Sequence, residues 1–219
     1  MKRIKIMIFS LITTTVLYSQ SLSEKVAENA CKCLELIDTY KQLEDSLKNC
    51  TSKAMVLVMR ESNSEEKEMF NSFQVITETF KKVNEILPIY CYNVRRIMIV
   101  EKKKKFYNRS LNSNANEHFD KGNQYMENSD YKNAIKEFNK ALKFDNNFIY
   151  AIDNLAISYR KQENYKQSIK NYKKSLEIFP EGDVALLNIA VVYSFLKDNE
   201  NSLKYYKELI YLYQNDPEG

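Results

Sequence analysis

The sequence contains little glycine, proline and histidine, and each shortage excludes a class of structure or chemistry. Its 219 residues include 3 Gly, 3 Pro and 1 His. Architectures rich in β-turns need frequent Gly and Pro, so an all-β fold is disfavoured. A glycine-rich phosphate-binding loop is also excluded. Long runs of Lys, Glu, Leu and Ala suit helices instead, and we expect an all-α fold.

The single histidine, His118, limits the catalytic and metal chemistry of the chain. A Ser/His/Asp or Cys/His mechanism would have to use this residue, and no motif places a nucleophile beside it. The HExxH motif and paired His/Cys metal motifs are missing from the sequence. We therefore expect no enzymatic activity, no cofactor and no metal site, with His118 as a packing or partly exposed helix residue.

The first 21 residues have the layout of a secretory signal peptide. Three basic residues precede an apolar run from Ile6 to Tyr18. That run is shorter than the ~20 apolar residues that a membrane span needs. We expect cleavage after Ser19 or Ser21, and export to the periplasm, the cell envelope or the medium. The mature chain would then have no transmembrane span; an uncleaved N-terminal anchor is the alternative.

The charge of the chain gives little support to nucleic-acid binding. The formal net charge is +4, and the first 21 residues contain three basic and no acidic residues, so 4 − 3 leaves +1 for the mature chain. Nucleic-acid interfaces need a strongly basic face. We expect no nucleic-acid partner.

Apolar residues recur at helical spacing between residues 22 and 100. Steps of three and four positions run onward from Met69, and similar series begin at Ser23 and Leu43. Pro88 stops or restarts the third helix. The pattern predicts a helical domain of three or four amphipathic helices.

Four cysteines, Cys31, Cys33, Cys50 and Cys91, lie in this N-terminal region. An even number of cysteines in an exported chain favours disulfides, with three possible pairings. Because Cys33 and Cys50 lie on the apolar stripes of adjacent predicted helices, we expect a disulfide between them. Free buried thiols and a zinc site are the alternatives, although the CxxC pairs that structural zinc sites favour are missing.

Residues 101–114 combine a run of four lysines with Asn and Ser. Such charge runs are typical of solvated helix ends and linkers. We expect a basic, polar linker between two domains; a specific anionic partner is the alternative.

The sequence beyond residue 114 repeats itself every 34 residues, in blocks 115–148, 149–182 and 183–216 that align without gaps. Small, aromatic and aliphatic residues recur in shared columns, namely Gly122, Ala156 and Ala190; Tyr125, Tyr159 and Tyr193; Ala134, Ser168 and Ser202; Phe138, Tyr172 and Tyr206; and Leu142, Leu176 and Ile210.

This column order resembles the tetratricopeptide repeat, a helix–turn–helix unit of 34 residues. The resemblance covers 102 of the 219 residues, as three repeats. It implies an α-solenoid in which small residues let two helices approach and aromatic residues fill the space between them. It also implies a concave face that binds a protein or peptide. We therefore expect a non-catalytic interaction scaffold or adaptor.

In this family the concave face is lined by set positions of the first helix of each repeat. Those positions predict partner-binding residues at Phe119, Asn123, Met126, Tyr150, Asp153, Ile157, Arg160, Leu187, Val191 and Phe195. Their mixture of polar and apolar side chains suits an extended or helical peptide held by a few apolar anchors. Burial against a neighbouring helix is the alternative for Leu187, Val191 and Phe195.

Two further hypotheses concern the ends of the chain. Solenoids normally end in a polar capping helix, whereas this sequence stops at NDPEG just after the third repeat. Tyr206, Leu209, Ile210 and Tyr213 are therefore expected to be partly exposed and to favour homo-oligomers or docking. As an alternative function, the N-terminal cysteine domain is a ligand-binding or thiol-redox module, and the repeats are its docking arm.

Overall fold

A computed structural model describes residues 22–214, and all regular secondary structure in this range is helical. The predicted all-α fold is confirmed. The proposed signal peptide lies outside the described residues. The chain divides into two compact units, which we call unit 1 and unit 2, with the division between Met98 and Ile99.

The described residues of unit 1, from residue 22 onward, form four helices and the beginning of a fifth. They are α1 (22–34), α2 (Tyr40–Glu61), α3 (Ser64–Met69), α4 (Phe73–Tyr90) and α5 (Tyr92–Phe106), of which α5 ends in unit 2. The helix predicted to start at Met69 starts at Phe73, because the Ser72 side chain caps it by accepting a hydrogen bond from the Val75 amide.

The core of unit 1 forms around α1, and two disulfides hold α1 in place. Val26, Ala30 and Leu34 are completely buried. Cys33 is bonded to Cys50 of α2, which is the predicted pair. The second disulfide joins Cys31 to Cys91, the residue between α4 and α5. The two bonds therefore attach opposite sides of α1 to different parts of the unit.

Pro88 does not stop α4, which continues to Tyr90. The last four carbonyl oxygens of a helix have no hydrogen-bond partner within the helix. Arg95 supplies donors at this helix end: its Nη1 donates to the backbone oxygens of Pro88 and Ile89, at 3.1 and 3.3 Å. The helix end is thus satisfied by a side chain from α5.

Unit 2 continues from the end of α5 into three helix pairs. The helices are α6 (Ser113–Glu127), α7 (Tyr131–Phe144), α8 (Ile149–Lys161), α9 (Tyr165–Ile178), α10 (Asp183–Phe195) and α11 (Asn199–Tyr213). Each helix contacts the next one along the chain, and α8 also contacts α6 and α10. The first helices of the three pairs therefore lie side by side and form one face.

The turn inside each helix pair has the same backbone conformation. Ser129, Glu163 and Lys197 have φ values of 58°, 58° and 59°. These three residues are 34 positions apart, so the repeat in the sequence is also a repeat in the backbone. The next residue caps the second helix of each pair, and the caps are Asp130, Asn164 and Asp198.

The small-residue columns lie where the two helices of a pair touch. The Ser168 hydroxyl donates to the backbone oxygen of Ala156 at 2.9 Å. The Ser202 hydroxyl donates to that of Ala190 at 3.0 Å. Because both alanines are completely buried, a larger side chain in either column would separate the helices.

Candidate partner-binding face

The ten predicted partner-binding residues lie on α6, α8 and α10. We call the surface that these three helices form the inner face. Its residues differ widely in exposure, and this difference separates three parts.

The part nearest the start of the helices is an aromatic cluster. Phe119 is only 8% exposed and its ring contacts those of Phe148 and Tyr150, with centroids 4.9 and 6.2 Å apart. Tyr107, which follows α5, contacts the ring of Tyr150 edge-on at 5.2 Å. Tyr107 also contacts Phe179 at 5.8 Å. This part of the inner face is therefore filled by residues of the same chain.

Asp153 lies beside this cluster and is 2% exposed. The hydroxyl of Tyr107 donates a hydrogen bond of 2.7 Å to its Oδ2. Burial raises the pKa of Asp153 from 3.8 to about 6, and the hydroxyls of Ser175 and Tyr107 oppose that rise. Burial, together with the nearby Asp153 carboxylate, also raises the pKa of Tyr107 above its ordinary value. The carboxylate thus binds a side chain of its own chain.

The middle of the inner face is polar and partly buried. Asn154 donates a hydrogen bond of 2.7 Å to the side-chain oxygen of Asn123, which joins α8 to α6. Met126 and Ile157 pack against the apolar clusters within the helix pairs. Arg160 is half-buried, and its Nε has no hydrogen-bond partner within residues 22–214. The Nε atom is itself buried, so this donor is not open to a partner in the present arrangement.

The third part of the inner face lies on α10 and is apolar and open. Leu187 is 45% exposed and Phe195 is 55% exposed, with the half-buried Val191 between them on α10. The Phe195 ring stacks on that of Tyr165, with centroids 5.9 Å apart. We call Leu187, Val191 and Phe195 the open patch. Spaced four residues apart, they form a stripe about 12 Å long on one side of the helix.

Tyr107 is a site residue that the sequence did not identify. The repeat pattern begins at residue 115, and Tyr107 lies in the segment predicted to be a linker. The aromatic pair Phe106 and Tyr107 directly after the lysine run was the available signal, since aromatic residues are unusual in solvated linkers.

His118 and the cysteines form no recognisable catalytic or metal site in the part of the chain that is described. His118 Nδ1 lies 2.7 Å from Glu137 Oε2, and its ring stacks on Phe144. Among residues 22–214, no group of three His, Cys, Asp or Glu side chains could hold a metal ion. All four cysteines are in disulfides. Every helix in the same range is too short or too polar to cross a bilayer.

Comparison with known proteins identifies the second half of the chain. Residues 118–148 and residues 148–215 each match a family model described as tetratricopeptide repeat. A solved structure of the second TPR of Spaghetti (RPAP3) bound to HSP90 peptide SRMEEVD is similar, with 17% identity and a TM-score of 0.44 over 51% of this chain and 98% of that chain. No curated protein matches the chain. Residues 118–215 therefore contain tetratricopeptide repeats.

Proposed function

We propose that this chain is an exported, non-catalytic scaffold whose three tetratricopeptide repeats bind a peptide or protein through the inner face. The open patch is the observation that carries the proposal. Large apolar side chains in contiguous exposed positions are typical of interaction sites, because leaving them in water is unfavourable. Phe195 is a suitable anchor, since its stacking on Tyr165 orients the ring before a partner binds.

The exposures narrow the predicted set of contact residues. Phe119 and Asp153 are buried within the chain, so their effect on a partner is indirect. The direct contacts that we propose are Tyr150, Ile157, Arg160 and the open patch. The partner would supply apolar side chains to the open patch and an oxygen acceptor to Arg160.

Site-specific crosslinking tests this proposal without knowledge of the partner. A photoreactive phenylalanine analogue would replace Leu187 in the full mature chain, and crosslinked proteins would be recovered from the source cells. The matched control replaces Leu57 of unit 1, which is also 45% exposed. We expect a discrete crosslinked species from position 187 only. Equal products from both positions, or none from position 187, would refute binding at the open patch.

Point variants provide the quantitative part of the test. Val191→Asp and Arg160→Ala should each lower partner recovery about tenfold or more, as expected when an interface anchor is lost. Leu57→Asp should leave recovery unchanged. Unchanged recovery with both inner-face variants would exclude the inner face as the binding surface.

Export is the part of the proposal that rests on residues 1–21. N-terminal sequencing of the protein purified from its source would test it. A mature chain beginning at Gln20 or Leu22 supports cleavage of a signal peptide, whereas a chain beginning at Met1 contradicts it.

Homo-oligomers through α11 are a further element of the proposal. Leu203 and Ile210 are exposed, and they lie seven positions apart on one side of that helix. Tyr213 differs, because its hydroxyl donates to the backbone oxygen of Glu181. Light scattering of the wild type and of Ile210→Asp would test the proposal, which requires a wild-type mass above that of the monomer and a lower mass for the variant.

A second candidate function is a thiol-redox role for unit 1, and the exposure of Cys33 is the observation that favours it. Thiol–disulfide exchange requires that an attacking thiolate can reach a sulfur atom. Cys50 is buried, so attack would occur at Cys33 and release the Cys50 thiolate. A reduction potential below about −300 mV, the range of structural disulfides, would count against this function.

A further inference from the structure

Basic and aromatic residues just before the repeats contact acidic residues on or next to the first helices of the repeats. We call residues 99–109 the basic segment, and Asp120, Asp153, Glu181 and Asp183 the acidic edge. Lys103 Nζ lies 2.7 Å from Asp183 Oδ2, and Lys102 pairs with Glu181. The Tyr107 hydroxyl donates to Asp153. The basic segment is therefore matched to the acidic edge in charge and in hydrogen bonding.

The last contact of the basic segment has the geometry of specific recognition. Arg109 donates from Nη1 and Nη2 to the two carboxylate oxygens of Asp120, at 2.8 and 2.7 Å. Its guanidinium also lies over the Phe119 ring, 5.9 Å from the centroid. A two-pronged arginine–carboxylate contact fixes orientation as well as distance.

The order of these contacts shows that the basic segment crosses all three repeats. Lys103 reaches α10, Tyr107 reaches α8 and Arg109 reaches α6. The segment thus runs in the direction opposite to the order of the repeats in the chain. An element that only covered an apolar surface would not need one acidic partner on each successive helix. A peptide bound across the three repeats would make the same series of contacts, one on each successive helix.

Apolar contacts hold the centre of the basic segment. Ile99 and Tyr107 are buried together with Ile149 and Phe179, and Phe106 stacks on Phe179 at 5.5 Å. The ionic contacts around this centre are open to water, since Lys102, Lys103 and Arg109 retain between 39% and 56% of their side-chain exposure. Exposed ion pairs are weak and are screened by salt. The ion pairs therefore add charge selectivity that salt weakens, while the apolar centre supplies the buried contact.

We infer that the acidic edge is a recognition site for a basic peptide segment that contains tyrosine, and that residues 99–109 occupy this site within the same chain. A partner with lysines four or five residues before a tyrosine and an arginine shortly after it would compete with the basic segment. A segment tethered in the same chain has an effective concentration in the millimolar range. The apparent affinity of an external peptide is therefore much higher when the basic segment has left the site than when it occupies the site. The site shares no residue with the open patch.

Peptide binding to the full mature chain tests the inference. The probe is a fluorescent synthetic peptide of residues 99–110. The protein is either the wild type or the double variant Lys103→Glu/Tyr107→Ala, in which the basic segment binds the acidic edge more weakly. We expect the double variant to bind the probe at least tenfold more tightly than the wild type. The affinity should fall at least threefold when NaCl rises from about 50 to about 500 mM, because ion pairs contribute. Lys166→Glu, a change at an exposed lysine of α9, is the matched charge control and should bind as the wild type does.

A charge exchange distinguishes recognition from general attraction. The same double variant with Asp183→Lys added should lose the probe, and should regain binding to a probe that carries Glu in place of Lys103. Absence of probe binding to a double variant with wild-type helicity would overturn the inference, as would equal binding to the wild type and the double variant.

A second measurement applies if the double variant does not fold. Hydrogen exchange of residues 100–108 would be followed in Tyr107→Phe, which removes only the hydroxyl, with and without excess unlabelled peptide. Faster exchange with the peptide supports displacement of the basic segment, and unchanged exchange at saturating peptide contradicts it. Neither result concerns the open patch, so a failure here differs from a failure of the proposed function.

Discussion

The ring of Phe138 lies directly against the backbone of Gly122. A Cβ atom added to Gly122 would be only 2.5 Å from Cε1 of Phe138, closer than side chains pack. Phe138 is completely buried and cannot swing into solvent. The aromatic residue at position 138 therefore requires a glycine at position 122.

Gly122→Ala should destabilise unit 2 by about 1–3 kcal/mol, because the added methyl group overpacks the contact with Phe138. Urea unfolding monitored by circular dichroism would measure the change. Gln124→Ala, an exposed position on the same helix, should stay within about 0.5 kcal/mol of the wild type. A Gly122→Ala variant more stable than the wild type would show that α6 and α7 can move apart without a loss of stability.

Asp153 should make the stability of unit 2 depend on pH. Its pKa is about 6 in the folded chain and 3.8 ordinarily, so the folded state retains a proton that the unfolded state releases. This contribution to the free energy of unfolding is fully present below pH 4 and is lost as pH rises through 6. The loss is on the order of 3 kcal/mol.

The Asp153→Asn variant lacks that titration. Its free energy of unfolding, relative to that of the wild type, should therefore increase between pH 4 and pH 8. Unfolding in urea at several pH values would measure the difference. Asp120→Asn is the control, because Arg109 lowers the pKa of Asp120 and its titration lies below this range. A constant difference between Asp153→Asn and the wild type would contradict the raised pKa.

The left-handed turn residues predict a stabilising substitution. Glu163 has a φ of 58°, which is unfavourable for a residue with a side chain and accessible to glycine. Glu163→Gly should therefore raise the free energy of unfolding by about 0.5–1 kcal/mol. Gln162→Gly, one position earlier at a φ of −92°, should lower it by a similar amount. Thermal unfolding of the two variants would show opposite shifts.

The two disulfides should differ in how readily they are reduced. Cys33 is exposed, whereas Cys91 is completely buried. Mild dithiothreitol under native conditions should therefore reduce the Cys33–Cys50 bond before the Cys31–Cys91 bond. Differential alkylation with mass mapping would identify the thiols released first. Simultaneous release would mean that reduction requires unfolding of unit 1, which would favour a purely structural role for both bonds.

The repeat helices were predictable because their signal is local and periodic. The 34-residue spacing placed Ala134, Phe138 and Ala141 in one helix, and all three are completely buried in α7. The Cys33–Cys50 bond was predicted from the same spacing, which placed both residues on apolar stripes of neighbouring helices; Cys50 is buried as expected, whereas Cys33 is exposed. Helix α3 was missed because its six residues are too few to show a period.

The surroundings of the inner face could not be predicted from the repeats. The family pattern placed Phe119 and Asp153 on α6 and α8, where they are found. The surroundings of Asp153 depend partly on Tyr107, which lies 46 residues from it in the sequence. The lysine run before Tyr107 has the composition of a solvated linker, and only the folded chain shows that two of its lysines pair with acidic residues of the repeats.

The packing of the end of α5 onto the repeats affects how this protein can be divided into fragments. A fragment cut at residue 115, where the repeat pattern begins, would lack Ile99, Phe106 and Tyr107. It would expose Ile149 and Phe179, both almost completely buried in the intact chain, and would remove the hydrogen bond from the Tyr107 hydroxyl to the Asp153 carboxylate. Such a fragment would present a new apolar surface and would tend to aggregate. The smallest independent piece of this protein therefore begins within helix α5, before the first repeat.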